Sequence, residues 1–267
     1  MTTSAAPVGV FDSGVGGLSV LHEIRRVLPA EDLIYVADSA HCPYGGLSRL
    51  EIQQRAHALS RFLIEQHAAK AVVVACNTAT AAAIDELRRC VPGVPFVGME
   101  PALKPAAALT RSGVVGVLAT AATLGADRFA QLVERVADGV EVWRQPCPGL
   151  VTQVEAGDLD GPRTRELLQR YVAPLLARGA DTLVLGCTHY PFLRPALLEL
   201  VGPSVEVLDS GAAVARQLQR VLAQHRLQRH GGAAGQLTFY TTAPTSAPTL
   251  QRLWGAPVPI AHLQPLV

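Results

Sequence analysis

The chain has 267 residues, of which 49% are hydrophobic and 17% charged, and its net charge is +1. The apolar share excludes a wholly disordered chain, and without an apolar run of roughly 18 residues the sequence supports no membrane span. The near-zero charge gives no general attraction to nucleic acid or anionic lipid, so we expect no nucleic-acid and no membrane partner.

Apolar strand-type runs alternate with helical patterns along almost the whole chain. We predict strands at about 8–11, 33–37, 71–75, 94–97, 114–118, 140–143, 182–185, 205–208 and 237–241. We predict helices at about 16–28, 48–68, 77–89, 127–136, 162–177, 193–201 and 212–224. Strands that alternate with helices indicate an α/β fold with mostly parallel sheets.

Two parts of this pattern resemble each other. Gly9-Val-Phe11 is similar to Gly116-Val-Leu118, and the apolar run that ends at Cys76 is similar to the run that ends at Cys187. The repeat predicts two similar, pseudo-symmetric domains. Each would be a mostly parallel sheet flanked by helices, with the active site in the cleft between them.

The five cysteines divide into two groups. The first seven residues lack the basic start and apolar stretch of a signal peptide, so the odd number of scattered cysteines indicates free thiols in the cytoplasm. We expect Cys42, Cys90 and Cys147 to pack as small apolar side chains. Cys76 and Cys187 instead follow predicted parallel strands, where open α/β sheets place their ligands, and polar residues follow both.

Two thiols that face each other across a cleft fit racemisation, because that reaction needs an acid and a base on opposite faces of one carbon. Cys76 also begins a predicted helix, whose free N–H groups and dipole favour a thiolate; we expect Asn77 to cap this helix. A redox pair with C-x-x-C spacing is absent from the sequence. Zinc is a weaker alternative, since His41, Cys42, Cys76, Cys187 and His189 are suitable ligand types without paired spacing, and we predict no metal.

A glycine-rich loop at Gly14, Gly16 and Gly17 offers a competing interpretation. It follows a strand and opens a helix, and Asp38 ends the next strand, as in a dinucleotide-binding oxidoreductase. Asp12, at the exit of the first strand, would repel a pyrophosphate. The loop N–H groups can equally hold a substrate carboxylate, while Asp12 meets an ammonium group or assists a thiol.

Four segments resemble the glutamate racemase family, within the cofactor-independent aspartate/glutamate racemase superfamily. They are residues 9–18, 43–45, 75–79 and 185–191. The resemblance implies one domain from residues 1–98 plus 210–267 and a second from residues 99–209. It implies that Cys76 and Cys187 are the acid/base thiols and that Asp12, Glu155 and His189 tune them. It implies that the substrate is bound by Asp12, Ser13, Tyr44, Gly45, Asn77, Thr78, Thr188 and His189.

Thr120 and Thr123 follow a predicted strand and could bind a carboxylate or cap the next helix. The resemblance further implies interconversion of L- and D-glutamate without a cofactor, D-glutamate supply for peptidoglycan, a bacterial cytoplasmic location and a homodimer. Aspartate is the alternative substrate, although relatives that act on it usually carry Glu where this chain has His189-Tyr-Pro191. Some members of the family contact DNA gyrase, a binding role for which the sequence gives no sign.

Overall fold

The computed structural model describes residues 3–136 and 138–264, which form two parallel β-sheets with helices packed against them. The strands are β1 (Val8–Asp12), β2 (Leu33–Ala37), β3 (Ala71–Val74), β4 (Phe96–Val97), β5 (Val114–Ala119), β6 (Glu141–Pro146), β7 (Thr182–Leu185), β8 (Glu206–Leu208), β9 (Leu237–Thr241) and β10 (Ile260–His262). The helices are α1 (Leu18–Val27), α2 (Arg49–Arg61), α3 (Asn77–Cys90), α4 (Leu103–Leu109), α5 (Ala121–Leu124), α6 (Asp127–Val136), α7 (Leu150–Glu155), α8 (Pro162–Leu176), α9 (Arg194–Val201), α10 (Gly211–Gln224) and α11 (Ala247–Trp254).

The first sheet has the order β10-β9-β2-β1-β3-β4 and the second has the order β6-β5-β7-β8, with every described pair parallel. Phe11 pairs with Val74, so the chain leaves β1 and β3 at the same edge of the first sheet. Leu118 pairs with Leu185, which places the exits of β5 and β7 together in the second sheet. The predicted α/β architecture with two parallel sheets is confirmed.

The central strands consist of apolar residues because both of their faces are covered. All residues of β1, β2, β3 and β7 are buried. One buried apolar cluster contains side chains from both sheets, among them Val10 of β1 and Leu185 of β7. The two halves therefore share part of their core.

Several elements differ from the sequence prediction. Helix α2 begins with the expected capping box of Ser48 and Glu51, but it ends at Arg61 and continues as the π-helical turn Phe62–Gln66. The predicted elements do not include α4, α5, α7, α11 and β10, which are short. β6 reaches Pro146, a residue that is tolerated because β6 lies at the edge of its sheet.

Among residues 3–136 and 138–264, no helix combines the length and the apolar character that crossing a lipid bilayer requires.

Candidate active site

The exits of four strands, two from each sheet, surround a small cavity with a free volume of about 10 Å³. Cys76 follows β3 and Cys187 follows β7, so the two thiols reach one cavity from different sheets. Both side chains are buried. The cavity is lined by Ser13, Pro43, Tyr44, Gly45, Cys76, Asn77, Thr78, Thr120, Val151, Cys187, Thr188 and His189.

Most of the residues singled out from the sequence line this cavity, and three do not. Asp12, Thr123 and Glu155 lie behind the lining side chains and contact them. Val151, an apolar residue of α7, also lines the cavity, and no sequence motif marks it.

Cys76 is itself the N-cap of α3. Its Sγ accepts a hydrogen bond from the Ala79 N–H at 3.5 Å, so the expected cap at Asn77 is wrong and Asn77 is the first helical residue. The Ser13 hydroxyl lies 3.8 Å from the same sulfur. Burial and the neighbouring Asp12 raise the pKa of the Cys76 thiol, whereas the Ala79 N–H opposes them. Cys76 is thus held protonated in the absence of substrate.

Cys187 has a different environment, because a histidine and a carboxylate stand in line behind it. His189 Nδ1 lies 3.8 Å from Cys187 Sγ, and His189 Nε2 donates to Glu155 Oε1 at 2.7 Å. Burial lowers the pKa of His189, but hydrogen bonds with Cys187, Cys42 and Glu155 outweigh it and raise that pKa well above the usual value. His189 therefore links the Glu155 carboxylate to the Cys187 sulfur.

Glu155 collects three donors and so holds this arrangement in place. Its Oε1 accepts from the Val15 N–H at 2.7 Å and from the Cys42 thiol at 3.4 Å, besides His189. Although burial acts in the opposite direction, the hydrogen bond from His189 lowers the pKa of Glu155. Burial raises the pKa of Cys42 to about 12, so that thiol is a donor at neutral pH.

Asp12 joins the two sheets behind the cavity. Its carboxylate accepts from the Ser13 and Gly17 N–H groups at 2.6 and 2.5 Å, and from the Thr188 hydroxyl at 3.2 Å. Burial raises the pKa of Asp12, while the charge of His189 lowers it. Asp12 therefore positions Ser13 and Thr188, which both line the cavity.

The glycine-rich loop is filled by protein groups, which argues against the dinucleotide interpretation. A Cβ at Gly14 would overlap the Glu155 carboxylate, and one at Gly16 would overlap the His189 ring. The N–H groups of Val15 and Gly17 already donate to Glu155 and Asp12. A phosphate would find these two donors engaged and the space beside the loop filled.

Asp38, the proposed ribose ligand of that interpretation, has an internal role. It is fully buried and accepts two hydrogen bonds from Arg55, both at 2.9 Å, and one from the Tyr44 hydroxyl at 2.6 Å. Tyr44 and Gly45 form a 3₁₀ turn against the cavity. Asp38 therefore fixes the turn that forms one wall of the site.

Three threonines meet where the halves face each other. The Thr78 hydroxyl lies 3.0 Å from that of Thr120 and 3.2 Å from that of Thr123. Thr120 is also the N-cap of α5, since its side chain accepts from the Thr123 N–H. Both sequence interpretations of Thr120, helix cap and possible ligand, are compatible with this position.

Asn77 is buried at the cavity wall, yet neither its side-chain oxygen nor its nitrogen has a hydrogen-bond partner. A buried amide left unsatisfied costs about 1–3 kcal/mol. An unsatisfied amide that faces a cavity indicates a binding site in which a polar ligand supplies the missing hydrogen bonds.

Two groups of three potential metal ligands occur in the part of the chain that the structure describes. They are Cys42 with Glu155 and His189, and His57 with Glu86 and Cys90. The expectation that Cys90 packs as an apolar side chain is wrong, because Cys90 is exposed at the end of α3. Cys147 is buried, as expected.

Comparisons with known proteins agree with this arrangement. Residues 8–218 match the family model described as Asp/Glu/Hydantoin racemase, so the chain belongs to that family and is an amino-acid racemase, an isomerase. The resemblance to glutamate racemases extends over nearly the whole chain. The glutamate racemase of Pseudomonas aeruginosa is 56% identical over 264 residues, which cover 98% of this chain and 99% of the relative.

Solved structures lead to the same group. Glutamate racemase isoform RacE1 of Bacillus anthracis matches with a TM-score of 0.88 and 32% identity, covering 98% of each chain. The Escherichia coli glutamate racemase, solved with L-glutamate and the activator UDP-MurNAc-Ala, matches with a TM-score of 0.83 and 34% identity. That match covers 97% of this chain and 98% of the relative.

Proposed function

We propose that this protein interconverts L- and D-glutamate by a 1,1-proton transfer between two thiols, Cys76 and Cys187, without a cofactor. The observation that carries the proposal is that these two buried cysteines, which follow strands of different sheets, line one cavity. A carbon bound between them would present its two faces to two acid/base groups.

In this mechanism one cysteine acts as the base and the other as the acid. For one enantiomer Cys187, which lies beside His189, acts as the base, and its thiolate removes the α-proton from one face. The Cys76 thiol then delivers a proton to the opposite face. The product leaves with inverted configuration and with the protonation of the two sulfurs exchanged, and the reverse reaction uses the same steps backwards.

General acid–base work alone contributes about 10²–10⁴-fold, so the site must also stabilise charge that develops at the substrate carboxylate. The cavity provides hydroxyl and amide donors for this purpose on Ser13, Asn77, Thr78, Thr120 and Thr188. Substrate binding by Tyr44, Gly45 and His189, and indirect roles for Asp12, Thr123 and Glu155, belong to the same proposal.

Glutamate is the proposed substrate because the P. aeruginosa relative is a glutamate racemase and the E. coli relative was solved with L-glutamate. The activator of the E. coli protein, a nucleotide-linked MurNAc-Ala, supports a role in supplying D-glutamate for peptidoglycan. We further propose a cytoplasmic homodimer. Its oligomeric state is open to measurement by light scattering.

We also propose the domain division at residues 1–98 plus 210–267 and 99–209. All strands of the first sheet lie before residue 98 or after residue 236, and all strands of the second lie between 114 and 208. Limited proteolysis that cuts first near residues 98 and 210 would support this division.

Racemase assays with single cysteine variants test the proposed function. We expect the protein to racemise L-glutamate well above L-aspartate. Cys76→Ser and Cys187→Ser should each reduce the rate by about 10²–10⁴-fold, whereas the exposed Cys90→Ser serves as the matched control and stays at the wild-type rate. Faster turnover of aspartate would overturn the substrate, and wild-type rates in either active-site variant would overturn the mechanism.

A further inference from the structure

We propose that Cys42, Glu155 and His189 form a Zn²⁺ site behind the substrate cavity, and that a bound ion inhibits the enzyme. The ligand atoms of these three side chains all lie within 4.8 Å of one another. They come from three separate segments: the loop after β2, the end of α7 and the loop after β7. A thiol, a carboxylate and an imidazole are the three protein ligand types that Zn²⁺ takes in tetrahedral sites.

The distances between the ligand atoms are close to those found between the ligands of a tetrahedral zinc ion. Zn–S bonds of about 2.3 Å and Zn–O or Zn–N bonds of about 2.1 Å in a tetrahedron separate the ligand atoms by roughly 3.4–3.6 Å. Cys42 Sγ and Glu155 Oε1 are 3.4 Å apart. His189 Nε2 and Glu155 Oε1 are 2.7 Å apart and would have to separate by somewhat less than 1 Å.

The site is enclosed on one side and reachable on the other. His189 is 1% exposed, whereas the Glu155 side chain is 18% exposed and Cys42 is half-buried. An ion can therefore approach from the side of Cys42 and Glu155, with water as the fourth ligand. Gly14 leaves the necessary room, because a Cβ there would press against both Glu155 and Cys42. Coordination replaces the thiol proton of Cys42 and the Nε2 proton of His189, which both pass to solvent.

The inhibition follows from the position of His189 and rests on the proposed function. Zinc at Nε2 would break the His189–Glu155 hydrogen bond and change the charge beside Cys187. Cys42 and Glu155 do not line the substrate cavity, so the ion would not occupy the space of the amino acid. Inhibition should therefore lower kcat, and excess glutamate should not restore the rate.

Titration with Co²⁺ tests the site without using activity. A cobalt ion bound by a thiolate gives a near-ultraviolet charge-transfer band, and tetrahedral coordination gives visible bands. We expect both in the wild-type protein and in Cys76→Ser, Cys187→Ser and Cys90→Ser. We expect the charge-transfer band to be lost in Cys42→Ser, and Glu155→Gln to weaken cobalt binding by at least about tenfold. Circular dichroism shows whether each variant is folded.

Three outcomes would overturn the metal site: no charge-transfer band in the wild type, a band that survives in Cys42→Ser, or a band that disappears in Cys90→Ser. The last would place the ion at His57, Glu86 and Cys90 instead. Inhibition is then measured for each variant as the ratio of its racemisation rates with and without Zn²⁺. Loss of this inhibition in Cys42→Ser supports the proposal, and full inhibition of Cys42→Ser overturns its inhibitory part. If the wild-type protein shows no racemase activity, the proposed function is overturned, but the cobalt titration still tests the metal site.

Discussion

For Asn77, the effect on substrate binding can be measured separately from the effect on the stability of the fold. Both polar atoms of its side chain are buried without a partner beside the cavity. Replacing it by Ala removes an unsatisfied amide, so we expect Asn77→Ala to leave the melting temperature unchanged or to raise it slightly. The same variant should raise KM for glutamate by about tenfold or more, since each lost hydrogen bond to a charged group is worth roughly 1.5–3 kcal/mol.

Calorimetry gives the melting temperature and steady-state kinetics give KM, both on the same preparation. Thr80→Val is a suitable comparison, because the Thr80 hydroxyl donates to the Val74 carbonyl inside the fold and does not line the cavity. It should lower the melting temperature and leave KM unchanged. The interpretation of Asn77 as a ligand fails if Asn77→Ala melts lower while KM stays at the wild-type value.

At the scale of elements, the turn between β2 and α2 depends on one buried carboxylate. Burial raises the pKa of Asp38, but hydrogen bonds from Arg55 and Tyr44 and the charge of Arg55 lower it below its usual range. The side chains of Arg55 and Asp38 are 14% and 0% exposed, so replacing the carboxylate removes a charged partner from a largely buried guanidinium. We expect Asp38→Asn to reduce the free energy of unfolding by about 3 kcal/mol at neutral pH.

The sign of the pH dependence follows from the direction of the shift. Because the folded pKa is depressed, the stabilisation is fully present above the normal carboxyl range and is lost as the pH falls through the folded pKa. We expect urea unfolding to show that the free energies of unfolding of wild type and Asp38→Asn differ at pH 7 and become similar as the pH falls to about 3. A difference that stays constant down to the lowest pH would contradict the role assigned to the Asp38 charge.

The elements also show what the sequence could reveal about the site. Residues that follow neighbouring parallel strands meet at one edge of their sheet. The positions of Cys76 at the edge of the first sheet and of Thr120 and Cys187 at the edge of the second were therefore predictable from local patterns. The contact of Cys42 with Glu155 joins positions 113 residues apart, and no local pattern encodes it. For the same reason, the glycine-rich loop resembled a phosphate cradle until the side chains of Glu155 and His189 were seen to fill it.

Short elements were missed for a related reason. Helices α4 and α11 each contain a proline, at Pro105 and Pro248, and β10 has only three residues. Packing against neighbouring elements stabilises them more than their own propensity does. Longer, strongly periodic segments such as α3, α8 and α10 were predicted to within one or two residues of their observed ends.

At the scale of the whole molecule, the cavity is formed by contacts that cross between the halves. Asp12 accepts from Thr188, the Val15 N–H donates to Glu155, and Thr78 meets Thr120. An amino acid that fills the cavity binds both halves of the folded chain and no part of the unfolded chain. Glutamate should therefore stabilise the protein as a unit.

Stabilisation by glutamate can be measured without turnover in the double variant Cys76→Ser/Cys187→Ser. At a ligand concentration near 100 times Kd the stabilisation is about 2.7 kcal/mol, which corresponds to a rise in melting temperature of roughly 5–10 °C for a chain of this size. L- and D-glutamate should both produce the rise, while L-lysine should not. No rise with either enantiomer of glutamate would contradict the proposed binding cavity.

The most direct test of the two-thiol mechanism is the position of deuterium early in the reaction. Wild-type protein is given protiated L-glutamate in D₂O, the reaction is stopped after a small fraction has converted, and the two enantiomers are separated for mass spectrometry. Because one cysteine removes the proton and the other delivers a solvent-derived deuteron, D-glutamate should carry one deuterium while the remaining L-glutamate stays protiated. Protium retained in D-glutamate, or equal early deuteration of both enantiomers, would contradict a transfer between Cys76 and Cys187.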